Sequence, residues 1–188
     1  LKIYWFFLPI ILALSFLTKQ TPSAHIFIII SFLSMVYFSF NFDLSKILYG
    51  ALGSLVIISL FFIILLLGKI SITSFIDQYI LFPLSIGEIR YKYFLLPLEF
   101  SRIILRFKLI HLSSIILIIV SIKYLNKNFK YLVDKEFLIK LSLLLTSYAL
   151  IAHQLMTING MFIFFIIPIL VGFSHIYYLK DLKKSNYI

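Results

Sequence analysis

The sequence contains no cysteine among its 188 residues. Disulfide bridges, thiolate metal sites and cysteine nucleophiles are therefore excluded for this chain. Acidic residues are also scarce, with 7 Asp and Glu against 17 Lys and Arg, and only 13% of all residues are charged. The chain has no glycine-rich phosphate loop, no nucleophile elbow and no paired-carboxylate motif. None of these common catalytic signatures therefore points to a function.

Hydrophobic residues, by contrast, are in excess and make up 62% of the chain. Water-soluble domains average roughly 45–50% apolar residues, so this excess cannot be buried in one soluble core. The composition predicts an integral membrane protein. The net charge of +10 does not indicate nucleic-acid binding, because the lysines and arginines lie between apolar blocks. That pattern is typical of membrane topology and of attraction to anionic lipid headgroups.

Six apolar segments approach the length of about 20 residues that a helix needs to cross a bilayer. They are 3–17, 25–41, 47–67, 109–125, 137–154 and 160–179. Continuous apolar runs favour helices over barrel strands. The predicted fold is an all-α integral membrane protein, with residues 1–188 forming one polytopic domain of about six spans. The chain begins at Leu1, already within an apolar run, so we expect it to be a fragment that lacks its N-terminal part.

Lysine-rich segments set the predicted orientation. Lysines are frequent in the tail after Leu179 and in the loop between the fourth and fifth spans. The positive-inside rule therefore places both segments, together with the N-terminus, in the cytoplasm. Segment 69–108 then lies outside, although it is basic. Prolines interrupt its two apolar patches, and Glu99, Arg102 and Arg106 fall on one helical face. We therefore predict short interfacial helices over 69–108.

Few polar residues are candidates for a functional site, and each has two interpretations. The four histidines lack metal-ligand spacing, so no metal site is predicted. Asp77 is either a base or a solvated carboxylate. The segment HQLMTING is either a plain turn or a hydrogen-bonding set that contains His153, Gln154 and Asn159. Lys19, in FLTKQTPSAH, is either an interface anchor or a contact to an anion.

The motif LTKQTPSA, residues 17–24, resembles the short outer-loop motif of GT-C membrane glycosyltransferases, the protein-mannosyltransferase-like superfamily. In that family a lysine followed closely by a proline contacts the lipid phosphate of the donor. Lys19 and Pro22 match, whereas Gln20 and Thr21 replace the usual intervening glycine and lengthen the loop by one residue. The segments FIDQYILFPLSIGEIR and HQLMTINGMFIFFIIPILVGFSH also resemble bacterial membrane proteins grouped with this family.

The resemblance implies transfer of a sugar from a polyprenyl-phosphate-linked donor to an acceptor at the outer face of a bacterial inner membrane. It implies a donor-phosphate contact from Lys19. Because they lie in the basic outer segment, Arg90 and Arg102 are further candidates for contacts to this phosphate, and the hydrogen-bonding interpretation of HQLMTING makes His153, Gln154 and Asn159 candidates for contacts to the sugar or headgroup. The family's catalytic carboxylate is expected upstream of Leu1, so this fragment alone would be inactive. The resemblance leaves open whether the full-length protein uses a divalent metal ion.

Two other functions remain open. A transporter or lipid flippase subunit would carry ionisable residues inside its spans. Lys140 is the only charge well inside a predicted span, and we expect it to reach the cytoplasmic headgroups. A non-enzymatic membrane scaffold would need faces of small residues, for which Gly50, Gly53 and Ser54 are the only candidates.

Overall fold

The computed structural model describes residues 2–87, 99–127, 134–157 and 162–185. It is all-helical, with 91% helix and no strand among these residues. The first helices are α1 (Ile3–Thr18), α2 (Gln20–Phe40), α3 (Leu44–Leu67) and α4 (Ile72–Ile76). A π-helical segment, Asp77–Leu81, continues α4 into helical residues 82–87. A second π-helical segment (Ser101–Leu105) precedes α5 (Lys108–Lys127), α6 (Lys135–Thr157) and, after a 3₁₀ turn (Phe162–Phe165), α7 (Ile166–Ser185).

Among the described residues, four helices are long and apolar enough to cross a membrane: Pro22–Phe40, Leu44–Leu67, Lys135–Met156 and Ile163–Lys180. These correspond to four of the six predicted spans and support a multi-pass membrane protein. The other two predicted spans, 3–17 and 109–125, are also helical and coincide with α1 and α5. Over the residues that the structure describes, however, α1 has only 16 residues and α5 is not among the candidate spans. The six-span topology therefore stays a prediction.

The chain forms two compact units. Unit 1 comprises Leu1–Ala24 and Phe42–Leu96, and unit 2 comprises His25–Asn41 and Pro97–Ile188. In unit 1, α1 packs against α3 at Gly53. A Cβ atom at this glycine would overlap the carbonyl oxygen of Phe6 and lie 3.0 Å from Cγ of Pro9. The missing side chain therefore allows the two backbones to approach closely, as small residues do between membrane helices.

Local signals define both ends of α3. The Asp43 side chain caps its first turn, because Oδ1 accepts hydrogen bonds from the backbone N–H groups of Ser45 and Lys46 at 3.1 and 3.3 Å. At the other end, the N–H of Ile70 donates to the carbonyl of Leu65 at 2.9 Å. This closure requires Lys69 to adopt a left-handed backbone with φ of 53°. Glycine usually occupies that position, so a lysine there is strained.

In unit 2, α5 packs most extensively against α7 and also against α6. The core is apolar and includes Phe107, Ile110, Leu117, Leu150, Ile163 and Leu170. Buried serines lie among these residues, and most of their hydroxyls donate to a carbonyl in their own helix. Ser174 instead donates to the Ser113 carbonyl at 3.2 Å and so links α7 to α5. Such bonds contribute about 0.6 kcal/mol on average inside membrane proteins.

Part of the predicted interfacial segment 69–108 is described. It is helical over 72–87 and over 100–105, and a turn at 106–107 leads into α5. Residues 88–98, which include Arg90, lie outside the described residues. Glu99 is exposed, Arg102 is half-buried and Arg106 is exposed. The helical character is thus consistent with the prediction, and the position of the segment at the membrane surface stays a prediction.

Candidate functional site

Lys19 is the single non-helical residue between α1 and α2. Its backbone is extended, with φ of −154° and ψ of 104°, and its side chain is exposed. The predicted spans 3–17 and 25–41 left seven residues, 18–24, for a turn between them, and this turn is shorter than predicted because α2 already begins at Gln20. Pro22 does not begin the next helix either, since α2 begins at Gln20 and Pro22 lies within its first turn. A proline is tolerated there because first-turn N–H groups have no partner within the helix.

The end of α1 beside Lys19 is closed by local hydrogen bonds. The carbonyl of Ser15 accepts from the Lys19 backbone N–H at 3.0 Å and from the Thr18 hydroxyl at 2.8 Å. The buried Ser23 hydroxyl, from the first turns of α2, donates to the same carbonyl at 2.9 Å. The last carbonyls of a helix otherwise lack partners, so these bonds hold the two helix ends together.

Residues 18–20 join α1 to α2, and we call them the Lys19 link. Tyr79, in the first π-helical segment, also contacts this link. Its hydroxyl donates to the carbonyl of Leu17 at 2.7 Å, and the side-chain amide of Gln20 donates to the carbonyl of Tyr79. The Tyr79 ring stacks on Phe75 with 4.8 Å between centroids, and Phe75 packs edge-on against Phe61 of α3 at 4.9 Å. Lys19 is thus held on a fixed backbone although its own side chain is exposed.

The electrostatics of the link combine opposing contributions. The first N–H groups of α2 and the Lys19 ammonium both attract an anion. The C-terminal end of α1 carries a partial negative charge, which favours the lysine and reduces the net attraction for an anion. Asp77 begins the π-helical segment and is exposed, in keeping with the solvated interpretation.

The other predicted site residues belong to unit 2 or are not described. Arg102 is half-buried in the second π-helical segment, where its backbone N–H donates to the Glu99 carbonyl at 3.0 Å. His153 and Gln154 are neighbours on α6 and both are buried. Arg90 and Asn159 lie outside the described residues. Lys19 belongs to unit 1, so the structure, in which each unit is described by itself, does not group it with Arg102, His153 or Gln154.

Gln154 is only 1% exposed, and its Nε2 atom has no hydrogen-bond partner among the residues that the structure describes. An unsatisfied buried amide costs about 1–3 kcal/mol, so such donors usually meet an oxygen of a water or ligand. Gln154 lies seven residues after Ser147, which in turn lies seven residues after Lys140. All three are buried on one face of α6. This spacing is the sequence signal by which Lys140 could have been linked to the predicted polar set.

The position of Lys140 differs from the prediction that it reaches the cytoplasmic headgroups. The lysine does not reach solvent along the edge of its helix, because it is 1% exposed and its ammonium lies 5.0 Å from the ring centroid of Tyr177. The helix α7 therefore covers a charge that its position near the helix end had suggested would be exposed. A buried cation can be stabilised by a tyrosine ring face through cation–π attraction.

His111 also has a specific role that its isolation in the sequence did not indicate. Its Nε2 lies 3.0 Å from the carbonyl oxygen of Ile103 in the second π-helical segment. A carbonyl only accepts, so Nε2 carries a hydrogen and Nδ1 of a neutral ring accepts. Nδ1 lies 3.5 Å from the Tyr148 hydroxyl. His111 thereby binds a backbone group that the π-helical geometry has displaced.

Within the described residues, no three His, Asp or Glu side chains form a group able to hold a metal ion. No protein-family model, curated protein or solved structure matches the chain. A functional assignment therefore depends on the motif around Lys19 and on the geometry of the two units.

Proposed function

We propose that this chain is part of a membrane glycosyltransferase of the GT-C type that uses a polyprenyl-phosphate-linked sugar donor. In this proposal the chain crosses a bacterial inner membrane six times, and Lys19 contacts the donor phosphate at the outer face. The contacts of Arg90, Arg102, His153, Gln154 and Asn159 to the donor or to a headgroup stay predictions from the sequence and are not part of the Lys19 site proposed here. No catalytic carboxylate is assigned to this chain.

The observation that carries the proposal is the held position of Lys19. A lysine that served only as an interface anchor would need no defined backbone, because its flexible side chain can reach the headgroups from many positions. The Lys19 link is instead held by Tyr79, by Gln20 and by Ser23. Such support from surrounding hydrogen bonds is what a binding residue requires for its position to be reproducible.

The physical role of Lys19 would be to neutralise charge on the phosphate as it leaves the sugar. A compact ammonium held beside helix N-terminal N–H groups can do this without reorganisation. Removal of one such preorganised contact costs about 2.7–4 kcal/mol of transition-state stabilisation in comparable sites. The polyprenyl chain itself would remain in the lipid between helices.

Donor binding tests the proposal more directly than sugar transfer does, because the proposal concerns a donor contact and assigns no catalytic carboxylate. Membranes that contain the chain would be irradiated with a polyprenyl phosphate carrying a diazirine, and the crosslinked fraction measured at matched protein abundance. Lys19→Ala should reduce apparent affinity roughly tenfold or more, as expected for loss of a charge-assisted hydrogen bond. Lys19→Arg should retain part of the binding, because a planar guanidinium does not replace a compact ammonium.

Lys69→Ala is the matched control. Lys69 is also an exposed lysine next to a helix end in unit 1, and alanine keeps the same Cβ in its left-handed backbone. Its crosslinking should equal that of the wild type. Equal loss in Lys19→Ala and Lys69→Ala would mean that Lys19 is only an interface anchor, and the donor-site proposal would fail.

The second candidate function is that of a transporter or lipid flippase subunit, and one observation favours it. Lys140 is buried within a candidate span, and ionisable residues in such positions commonly mark solute pathways. Reconstituted vesicles separate the two candidates. Lipid or solute movement that Lys140→Met abolishes, together with polyprenyl phosphate crosslinking that is the same in the wild type and in Lys19→Ala, would support the transporter.

A further inference from the structure

One end of unit 2 brings together the start of α6 and the last turns of α7. The Nζ atom of Lys180 lies 2.8 Å from Oε1 of Glu136 and 5.8 Å from the ring centroid of Tyr177. Lys140 approaches the same ring at 5.0 Å. Two lysines from different helices thus share one tyrosine ring, with one carboxylate between the helices. We call these four residues the Tyr177 corner.

The charges at this end are unbalanced toward the positive. The described cations in and next to it are Lys135, Lys140 and Lys180, and the described carboxylates are Asp134 and Glu136. The carboxylates therefore do not neutralise this end, and an anion would be attracted to it.

The two lysines of the Tyr177 corner have different access to solvent. Lys140 is 1% exposed, so its charge is little screened by water but cannot touch an external group. The Lys180 side chain is 53% exposed, and its bond to Glu136 uses one of the three ammonium hydrogens. Tyr178, next to Tyr177, is 47% exposed. An exposed tyrosine beside a half-exposed lysine is typical of the membrane–water interface.

We propose that the Tyr177 corner binds the phosphate headgroup of an anionic phospholipid in the leaflet at this end of unit 2. Lys180 donates to the phosphate, Lys140 contributes positive potential from within the unit, and the acyl chains lie along the exposed apolar surface of α7. An anionic lipid fits better than a soluble anion, because Lys180 closes a candidate membrane span, where headgroups are present at high local concentration. The proposal is independent of glycosyl transfer.

Native mass spectrometry of the full chain in detergent measures this binding. The chain would be titrated with phosphatidylglycerol and, in parallel, with zwitterionic phosphatidylcholine of the same acyl chains. We expect tighter binding of phosphatidylglycerol. Lys180→Gln should weaken its binding about fivefold, which corresponds to the roughly 1 kcal/mol that one surface lysine contributes toward anionic lipid. Lys108 is an exposed lysine at the start of α5 and is not part of the Tyr177 corner, so the Lys108→Gln variant should bind phosphatidylglycerol as the wild type does.

Glu136→Gln separates a lipid site from a simple ion pair. If the Lys180–Glu136 contact only stabilises the fold, its loss leaves phosphatidylglycerol binding unchanged. If Lys180 binds the headgroup, loss of the competing carboxylate should strengthen that binding by a few-fold. This comparison does not require the Lys180 variant to fold.

Three results would overturn the proposal. The first is equal binding of the two lipids by the wild type. The second is the same loss in Lys108→Gln as in Lys180→Gln, which would indicate diffuse attraction by the whole basic surface. The third is unchanged or weaker phosphatidylglycerol binding in Glu136→Gln.

Discussion

The close contact between α1 and α3 predicts opposite effects for one substitution at two positions on the same helix. At Gly53, a Cβ would overlap the Phe6 carbonyl oxygen and lie 2.9 Å from the carbonyl carbon. Both atoms are backbone, so no side-chain rotation can relieve the clash and the helices must move apart. At Gly50, a Cβ would lie 3.7 Å from the Trp5 carbonyl oxygen, which is ordinary van der Waals contact.

The magnitudes follow from overpacking and from helix propensity. Inserted core atoms cost about 1–3 kcal/mol, and a clash with backbone belongs in the upper half of that range. Replacement of a helical glycine by alanine gains about 0.5–1 kcal/mol. Gly53→Ala should therefore lower the free energy of unfolding by about 1–2.5 kcal/mol. Gly50→Ala should raise it by about 0.5–1 kcal/mol.

Trp5 is the only tryptophan in the chain and lies on α1, so its fluorescence reports on this contact. Denaturant titrations in mild detergent would compare the midpoints of the wild type and the two variants. The expected order is Gly50→Ala above the wild type and Gly53→Ala below it. A Gly53→Ala midpoint at or above that of the wild type would refute the close approach. Equal losses in both variants would show that α1 and α3 pack in another way.

Two further predictions concern the ends of α3. Lys69→Gly should raise the free energy of unfolding by about 0.5–1 kcal/mol, because glycine adopts the left-handed backbone without strain, and chemical denaturation would measure it. The hydrogen bond from the Lys46 ammonium, 3.2 Å from the carboxylate, lowers the pKa of Asp43 below its ordinary value of 3.8. Its stabilising effect should be complete above that pH and be lost as the pH falls through the lowered pKa, which thermal unfolding across acidic pH would detect.

Each of these has a matched control. Lys69→Ala keeps a Cβ in the left-handed backbone and should leave stability nearly unchanged, so an equal gain in both variants would contradict the strain argument. Asp43→Asn can still cap α3 but does not titrate. Its stability should lose the acid-dependent part that the wild type shows, and an unchanged acid dependence would assign that effect to other carboxylates.

Much of the secondary structure could be predicted from the sequence, because the relevant signals are local. Every predicted span falls on a helix, since a continuous apolar run in a membrane satisfies its backbone only within itself. The proline near Lys19 correctly indicated the first turn of α2, but not that the helix begins at Gln20. That start depends on Tyr79 and Ser23, whose contacts with the link no local pattern contains.

The candidate site was less predictable, since function depends on which residues meet. Lys19 could be selected from its motif and its neighbouring proline. The π-helical segments could not be predicted, because they depend on how the backbone is accommodated by surrounding helices. The contact between His111 and the carbonyl of Ile103 could therefore not be predicted from the sequence.

The sequence by itself determined that this is a helical membrane protein, with basic residues between its apolar runs. Those properties follow from composition and from local length, which need no knowledge of neighbours in space. Only the tertiary structure decided that Lys140 is buried against Tyr177, that Gly53 meets the backbone of Phe6, and that Lys19 lies on a link held by Tyr79. A lysine, a glycine or a tyrosine has the same local preferences wherever it occurs in a helix. Its role changes when a helix distant in sequence covers it, and that packing depends on the whole chain.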